Sequence, residues 1–345
     1  MLVIVMTARH HARWTSGPAK AIQKLHHGSI PRMGGLAIVC GLWFSVLLIG
    51  LEKINPLILI SAIAASIVFA VGFAEDLTGN VRVPWRLALT FIPAFILADQ
   101  SQIYLTHLGW APADALLTSQ IIAMVFTAFA LTGVTHALNL IDGLNGLAGF
   151  TSLWILGGYT ILGYLYDDRL IMQICLLLGA PLLGFLIFNW PWGKCFLGDG
   201  GAYFLGFSLA WIGVLLAERH HAISPFALLL ICSYPVIETL YSMARRMVQG
   251  QSTGDPDRSH LHQILVNALI NPLLKNHQLL NSNSHNANSL AGILLSLLSL
   301  PATALAIYFN AEQSILIGLF IAAILMYWVF YQYLKDQSKG QKRAN

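Results

Sequence analysis

Charged residues are scarce in this chain. Asp, Glu, Lys and Arg make up 10% of its 345 residues, and 57% of the residues are hydrophobic, whereas soluble proteins carry about 25% charged residues. This scarcity excludes an ordinary soluble domain and predicts a polytopic integral membrane protein. The formal net charge of +4 is modest, and we expect no nucleic-acid partner.

Cysteine is also scarce, and no internal repeat is visible. The four cysteines form neither a C-x-x-C pair nor the spacing of metal ligands, and three of them lie inside apolar runs. We therefore expect them to be small buried hydrophobic side chains.

The chain is instead rich in apolar runs of about twenty residues. A hydrocarbon core of about 30 Å needs about that many helical residues to cross it. We therefore predict an all-α protein with about ten transmembrane helices. The predicted spans are 33–51, 56–74, 85–98, 115–138, 150–166, 170–188, 201–217, 223–243, 289–309 and 313–334.

Lys and Arg fall mainly on one side of these spans. If residues 1–32 and the C-terminus share a side, the loops of that side hold 16 of the 19 basic residues, and the opposite loops hold the other 3. The positive-inside rule makes the first side cytoplasmic, so we place both termini in the cytoplasm. We expect one transmembrane domain over 1–345, with a helical membrane core over 33–334 and a long cytoplasmic loop over 244–288.

Five polar stretches fall on this predicted cytoplasmic side. They are KLHHGSIPRMGG (24–35), EDLTGNVRVP (75–84), NLIDGLNGLAG (139–149), FLGDGG (196–201) and DPDRSHLHQ (255–263). One membrane-surface active site would bring such stretches to the same side, whereas the alternative is that all loops are polar. The opposite loops also carry acidic residues, but without glycines or recurrent His and Arg, which favours a shared site.

Three of these stretches carry carboxylates suited to cation chemistry. The adjacent Glu75 and Asp76 repel each other unless a cation or proton lies between them, although such a pair can also mark the water interface. Asp199 lies between glycines at the entry to a span, where a helix N-terminus attracts phosphate; a helix cap or turn is the alternative. Asn139, Asp142 and Asn145 recur at i, i+3 and i+6 and would share one broad side of a helix start.

Basic side chains in two other stretches suit phosphate. The guanidinium of Arg258 can bind two diphosphate oxygens at once. His260 and His262 alternate with it, and because no Cys or third His lies near, phosphate contact is favoured over zinc. The first loop carries a further basic group, which is either an anion site or a positive-inside anchor: Lys24, His26 and Arg32.

The motifs together resemble those of a known enzyme family. HGSIPRMGG, GFAEDLTGNVRVPWR, NLIDGLNGLAG, FLGDGGAYFLGF and DPDRSHLH stand in the order of the polyprenyl-phosphate N-acetylhexosamine-1-phosphate transferases. The resemblance runs from about residue 20 to the end of the chain. DRSHLH is similar to the branch that starts O-antigen, enterobacterial common antigen or teichoic-acid linkage synthesis, because the three-histidine run of the muramoyl-pentapeptide branch is absent.

The resemblance implies an enzyme of the bacterial cytoplasmic (inner) membrane with cytoplasmic active-site loops. Such an enzyme transfers HexNAc-1-phosphate, here with GlcNAc-1-phosphate as the first expectation, from a UDP-sugar to undecaprenyl phosphate and releases UMP. It implies Mg²⁺ as cofactor, with Mn²⁺ as the alternative, membrane lipids as surroundings and a homodimer. Two anionic substrates repel each other, so a metal ion and basic side chains suit the reaction.

The resemblance also implies roles for individual residues. Asp199 matches a metal-binding aspartate, while Asp76 with Glu75 matches an acidic pair proposed to orient or deprotonate the lipid phosphate. The other matches concern substrate binding. They are Asn139 and Asp142 near the nucleotide diphosphate, Asn145 near the uracil, Arg258, His260 and His262 at the diphosphate, and Lys24, His26 and Arg32 in the first loop. Two positions depart from the family: Glu75 replaces its usual aspartate, and many relatives have Asp where Asn145 stands.

A secondary transporter or lipid-linked sugar flippase is the alternative function, since many spans with interrupting glycines suit one. Transporters keep ionisable groups near the middle of the membrane, whereas the acidic residues here collect at one end of the predicted spans. Glu238 is the nearest to an intramembrane charge, and it lies toward the cytoplasmic end of its span. These placements favour the enzyme.

Overall fold

The computed structural model describes residues 1–7, 30–250, 259–270 and 284–344, and within these ranges it is all-helical, with no β-strand. The helices are α1 (Leu2–Met6), α2 (Gly34–Ile49), α3 (Pro56–Thr78), α4 (Val83–Ser101), α5 (Ala111–Leu117), α6 (Gln120–Ile141), α7 (Leu147–Leu165), α8 (Arg169–Asn189), α9 (Gly198–Arg219), α10 (Pro225–Ile231), α11 (Ser233–Val248), α12 (Leu261–Leu265, followed by a π-helical turn, Val266–Ile270), α13 (Ser284–Ser296), α14 (Ser299–Tyr308) and α15 (Gln313–Ala344). The predicted fold class is confirmed.

Each of the ten predicted spans contains helical residues, but not each is a full span. Among the described residues, six helices are long and apolar enough to cross a membrane. They are α3, α6, α8, α9, α15 and the stretch Ala287–Tyr308, which joins α13 and α14. The apolar helix α2 has 16 residues, which at 1.5 Å each is shorter than a bilayer core of about 30 Å. The protein is a polytopic membrane protein, while the count of ten stays a prediction.

The predicted span 223–243 is not one straight helix. It consists of α10 and α11, which are bent by 80° relative to each other. Pro235 explains the break, because proline has no N–H to donate and its ring would clash with the carbonyl of Ile231 in a continuous helix. The pair counts as a seventh span if the bent helices are taken as one.

Most of the described part of the predicted loop 244–288 is helical. Residues 244–248 continue α11, 261–270 form α12 and its π-helical turn, and 284–288 begin α13. Leu261, Leu265 and Ile270 are buried in the core. Burial of these apolar side chains stabilises the helix, although most residues around it in the sequence are polar. The division of the whole chain into one domain stays a prediction.

Helix α9 is the centre of the bundle, and its apolar membrane-spanning part is entirely buried. It packs against α2, α3, α6 and α7, and Trp211 in its middle donates to the hydroxyl of Ser61 on α3 at 2.7 Å. Glycines allow the close approach at its first turn. A methyl group on Gly72 of α3 would lie 2.5 Å from the carbonyl oxygen of Asp199, and one on Gly201 would lie 2.7 Å from the Cα of Gly35.

The start of α2 is attached to the chain that enters α9. The backbone N–H groups of Gly34 and Gly35 donate to the carbonyls of Phe196 and Leu197, each at 2.9 Å. The first N–H groups of a helix have no partner within that helix, so these bonds satisfy them. The N-terminal ends of α2 and α9 and the C-terminal ends of α3 and α6 thereby meet at one end of the bundle.

Candidate active site

Carboxylates from three separate motifs meet where α3, α6 and α9 come together. Asp76 lies in the last turn of α3, Asp142 follows the end of α6, and Asp199 lies in the first turn of α9. The backbone N–H of Asp199 donates to Asp76 at 3.0 Å, and the Asn139 side chain donates to Asp199 at 3.0 Å. The structure therefore brings together four of the residues that the sequence nominated.

Asp76 caps the N-terminus of α9. Its two carboxylate oxygens accept hydrogen bonds from the backbone N–H groups of Asp199 and Gly200, at 3.0 and 2.9 Å, and the residue is buried. A negative charge is favourable at this end of a helix because the peptide dipoles point their positive ends there. Gly198 has a φ of 78°, and a methyl group there would lie 2.6 Å from an Asp76 oxygen, so only glycine fits. Asp76 thus determines where Asp199 stands.

Arg86 was not among the predicted site residues, and the structure places it in the centre of the cluster. Its guanidinium binds Glu75 at 2.6 Å and stands 3.7 Å from Asp199. Glu75 also accepts the backbone N–H of Val81 at 2.7 Å, so its carboxylate holds both the loop after α3 and the arginine. The sequence did contain a signal for this role, since Arg86 belongs to the same motif as Glu75. By sequence pattern alone, Arg86 is only one of the basic residues of the predicted cytoplasmic side.

The electrostatics of Asp142 suit a bound cation. Burial, together with the nearby charge of Asp199, raises the pKa of Asp142 to about 7, although the charge of Arg32 and a backbone hydrogen bond from Gly198 lower it. Two carboxylates that disfavour each other's charge are stabilised by a positive ion between them. Carboxylate oxygens are the ligands that Mg²⁺ prefers. Asp199, whose side chain is 24% exposed, and Asp142 therefore fit a divalent cation.

Asn145 is placed apart from this cluster. It is only 1% exposed; its backbone N–H donates to the Asn288 side chain at 2.7 Å, and its side-chain amide donates to Ser289 at 3.2 Å. The three polar residues of NLIDGLNGLAG do not share one helix side, because α6 ends at Ile141 and the backbone then turns through Gly146, with a φ of 80°. In this arrangement Asn145 attaches the turn to α13 and presents no surface to a substrate.

His260 directly precedes α12 and His262 lies in its first turn, and both are buried. Their rings are stacked, with centroids 5.6 Å apart. His262 lies directly against Gly143, where an added methyl group would contact its ring. The histidine pair therefore lies beside the backbone that carries Asp142.

Glu238 positions this histidine pair. The sequence pattern alone identifies Glu238 only as the residue nearest to an intramembrane charge. The carboxylate is fully buried, contacts Nδ1 of His260 at 3.1 Å and accepts the Tyr327 hydroxyl at 2.6 Å. The backbone N–H of Leu261 also points to it, at 3.4 Å. A lone carboxylate in an apolar helix is a signal of function, and here it ties α11, α12 and α15 together.

Three of the predicted residues fall outside the described part of the chain: Lys24, His26 and Arg258. Arg32 is described, and its charge acts on Asp142. Together with Arg86 it supplies positive charge beside the carboxylates, at the ends of the helices and away from their middles. Such a mixture of cations and carboxylates suits an anionic, phosphorylated substrate. The fold and the site thus define a polytopic membrane enzyme that acts on phosphate groups.

Comparison with known proteins identifies the family. The model of Glycosyl transferase family 4 matches residues 58–217, a range that includes Glu75, Asp76, Asn139, Asp142 and Asp199. The chain is 30% identical over 256 residues to a probable undecaprenyl-phosphate N-acetylglucosaminyl 1-phosphate transferase of Bacillus subtilis (strain 168), covering 71% of this chain and 68% of the relative. The chain belongs to Glycosyl transferase family 4.

Relatives in other bacteria carry closely similar names. An undecaprenyl-phosphate alpha-N-acetylglucosaminyl 1-phosphate transferase of Yersinia pestis is 25% identical over 335 residues, which cover 94% of this chain and 88% of the relative. The corresponding protein of Escherichia coli (strain K12) is 25% identical over 252 residues, or 71% and 68% of the two chains. The family expected from the motifs is confirmed, including the branch without the three-histidine run.

Proposed function

We propose that this protein transfers HexNAc-1-phosphate, with GlcNAc-1-phosphate as the first candidate, from a UDP-sugar to undecaprenyl phosphate. The observation that carries the proposal is the meeting of Asp76, Asp142, Asp199 and Arg86 at one end of the helices. A lipid phosphate can reach such a place from the bilayer and a nucleotide sugar from water. The names of the relatives support the same substrates. The product would start a lipid-linked cell-surface polysaccharide, such as the O-antigen of lipopolysaccharide or a cell-wall polymer.

The reaction is a displacement at phosphorus. An oxygen of the lipid phosphate attacks the β-phosphorus of the UDP-sugar; a new P–O bond forms as the bond to the α–β bridging oxygen breaks, and UMP leaves with that oxygen. Arg86 and Arg32 lower the repulsion between the two anions, because each stands beside the carboxylates where the diphosphate must approach. The histidine pair beside Asp142 supports binding of the same diphosphate.

Asp199 and Asp142 would hold the metal ion, for which we propose Mg²⁺, with Mn²⁺ as the alternative. When bound, the ion neutralises charge on the transferring phosphoryl group. Both oxygens of Asp76 accept backbone N–H groups, which supports a positioning role for Asp76 over removal of a proton from the lipid phosphate.

We place the protein in the bacterial inner membrane with its active site in the cytoplasm, and retain the homodimer as a prediction. The basic residues on the active-site side support this orientation. Cysteine labelling in intact cells tests it: Val248→Cys, at the exposed end of α11, should be protected from an impermeant thiol reagent. Ala111→Cys, at the exposed start of α5 on the opposite side, should be labelled. The reverse pattern would overturn the orientation.

A transporter or flippase is not favoured, because the carboxylates lie at helix ends and the family is one of transferases. The decisive experiment measures UMP release by the purified protein with undecaprenyl phosphate and a panel of UDP-sugars, with and without Mg²⁺. Metal-dependent release with one UDP-HexNAc is expected. No UMP with any sugar, under conditions where the relatives are active, would refute the proposed function.

A matched pair of variants tests the metal ligand. Asp199→Asn keeps the side-chain shape but removes the charge, and UMP release should fall on the order of 100-fold or more because charge stabilisation of the phosphoryl group is lost. Asp167→Asn makes the same change at an exposed turn with a φ of 57°, a conformation that Asn tolerates, and should leave the rate unchanged. Equal activity of both variants would remove Asp199 from the metal site.

A further inference from the structure

A second group of metal-ligand side chains lies at the opposite end of α9 from the active site. His107 belongs to the connection between α4 and α5, Glu218 to the last turn of α9, and His221 to the turn that follows. One ligand atom from each lies within 4.8 Å of the others. Glu218 is 19 residues after Asp199 on the same helix, which places it about 28 Å away at 1.5 Å per residue.

The carboxylate of this group is held in place by its neighbours. The backbone N–H and the hydroxyl of Thr106 donate to the two oxygens of Glu218, each at 2.8 Å, and the side chain is only 11% exposed. A carboxylate has about four acceptor positions, so both oxygens can still bind a cation. The connection between α4 and α5 is therefore attached to α9 at the position where the histidines converge.

The imidazole of His107 lacks the hydrogen bonds that a shielded polar ring needs. Both of its ring nitrogens are shielded from solvent and have no hydrogen-bond partner among the described residues, although Nδ1 stands 3.6 Å from Glu218. A neutral imidazole has one donor and one acceptor nitrogen, and leaving them unpaired is unfavourable. The ring of His221 meets that of His107 edge to face, with centroids 4.8 Å apart. A cation between the three side chains would bind one of these two nitrogens.

We propose that His107, Glu218 and His221 form a binding site for a divalent transition metal, with Zn²⁺ as the reference ion. Two imidazoles and a carboxylate are a frequent zinc ligand set, and water takes the fourth position. Ligand atoms about 2.1 Å from a tetrahedral ion lie about 3.4 Å apart, and the ligand atoms of this group lie within 4.8 Å of one another, so they must close by at most about 1.4 Å. The exposed side chain of His221 can make this movement.

The site differs chemically from the one that holds the proposed catalytic ion. Imidazole suits Zn²⁺, Cu²⁺ and Ni²⁺, whereas Mg²⁺ prefers carboxylate and phosphate oxygens. Zn²⁺ would link the connection between α4 and α5 to the end of α9. The neighbouring His220 is engaged elsewhere, because it contacts Asp168 at 2.8 Å. The site does not depend on the proposed transfer reaction.

The test measures Zn²⁺ binding to the purified full chain without a histidine tag. Competition with a chromophoric chelator gives the stoichiometry and the affinity. One Zn²⁺ should bind per chain in the presence of millimolar Mg²⁺. His107→Ala and His221→Ala should each weaken it on the order of 10–100-fold, the loss seen even for groups that only support a metal ligand. Co²⁺ in place of Zn²⁺ should show the visible absorption of a tetrahedral site, and the variants should lose it.

Two controls separate this proposal from the proposed function. Asp199→Asn should keep the Zn²⁺ stoichiometry while losing UMP release, and His220→Ala should keep Zn²⁺ binding, since that ring faces Asp168. Unchanged Zn²⁺ affinity in a His107→Ala, His221→Ala double variant would show that the metal binds elsewhere and would overturn the site. The absence of stoichiometric binding to the folded wild-type chain would overturn it as well.

Discussion

Gly72→Ala should displace Asp199, the proposed metal ligand, without touching any charged group. Gly72 lies in α3, where an added methyl group would stand 2.5 Å from the carbonyl oxygen of Asp199, 2.6 Å from its carbonyl carbon and 2.7 Å from the nitrogen of Gly200. All three atoms are backbone and have no rotamer to change. The two helices must therefore separate by at least 0.5 Å to restore a contact of 3.0 Å.

This separation acts on the bonds that locate Asp199. Asp76 is one turn after Gly72 on the same helix, and it holds Asp199 and Gly200 by bonds of 3.0 and 2.9 Å. Overpacking of this kind costs about 1–3 kcal/mol of stability. A misplacement of about 1 Å can reduce a rate by about 100-fold, so we expect kcat to fall by about 10–100-fold and the Mg²⁺ requirement to rise.

The assay is the initial rate of UMP release across a Mg²⁺ titration, with the Tm of the same detergent samples measured in parallel. Gly133→Ala is the matched control, because it adds the same methyl group to a membrane helix at a position with nothing within 4 Å. The control should keep the wild-type rate. Wild-type kcat and Mg²⁺ dependence in Gly72→Ala would show that the close contact between α3 and α9 does not locate Asp199 for the reaction.

Three further substitutions test the polar contacts. Asp76→Asn should lower the Tm and reduce UMP release, because the amide NH2 cannot accept one of the two backbone N–H groups of α9, and an unsatisfied buried donor costs about 1–3 kcal/mol; an unchanged Tm with lost activity would instead favour a proton-transfer role. Glu238→Gln should raise KM for the UDP-sugar more than it lowers kcat, because His260 loses its charged partner, a bond of about 1.5–3 kcal/mol; an unchanged KM would contradict this. Burial alone would raise the pKa of Asp168, but hydrogen bonds from Arg219 and His220 hold that pKa below its usual value. The stabilisation is therefore present above the unfolded pKa of about 4 and is lost as the pH falls through the folded value, so the Tm of wild type should drop more steeply in acid than that of Asp168→Asn.

Much of the fold could be predicted from composition because the bilayer imposes a strong constraint. A helix that satisfies its own backbone groups is the natural structure for a long apolar run in lipid, so each of the ten predicted spans contains helical residues. Boundaries were less predictable. The bend between α10 and α11 and the split of α13 and α14 depend on local backbone geometry that hydropathy does not record.

The candidate site was predicted in its residues more than in their functions. Glycine-flanked Asp199 and the acidic pair stood out because polar side chains are rare in such a chain. Asn145 belonged to the same conspicuous motif, yet the turn after Ile141 directs it into the interior, where it attaches to α13. A motif indicates which residues lie near a site, whereas the backbone conformation decides which of their side chains point toward it.

The sequence by itself determined that this chain lies in the membrane, that its apolar runs are helical, and that its family is one of sugar-phosphate transferases. These properties follow from local composition and from short motifs. Only the tertiary structure decided that Asp76 caps α9, that Arg86 joins Glu75 to Asp199, and that Glu238 holds His260. Asp76 and Gly200 are 124 residues apart in the chain, and they meet because glycines let α3 and α9 approach closely, a matter of packing between helices that no single helix records.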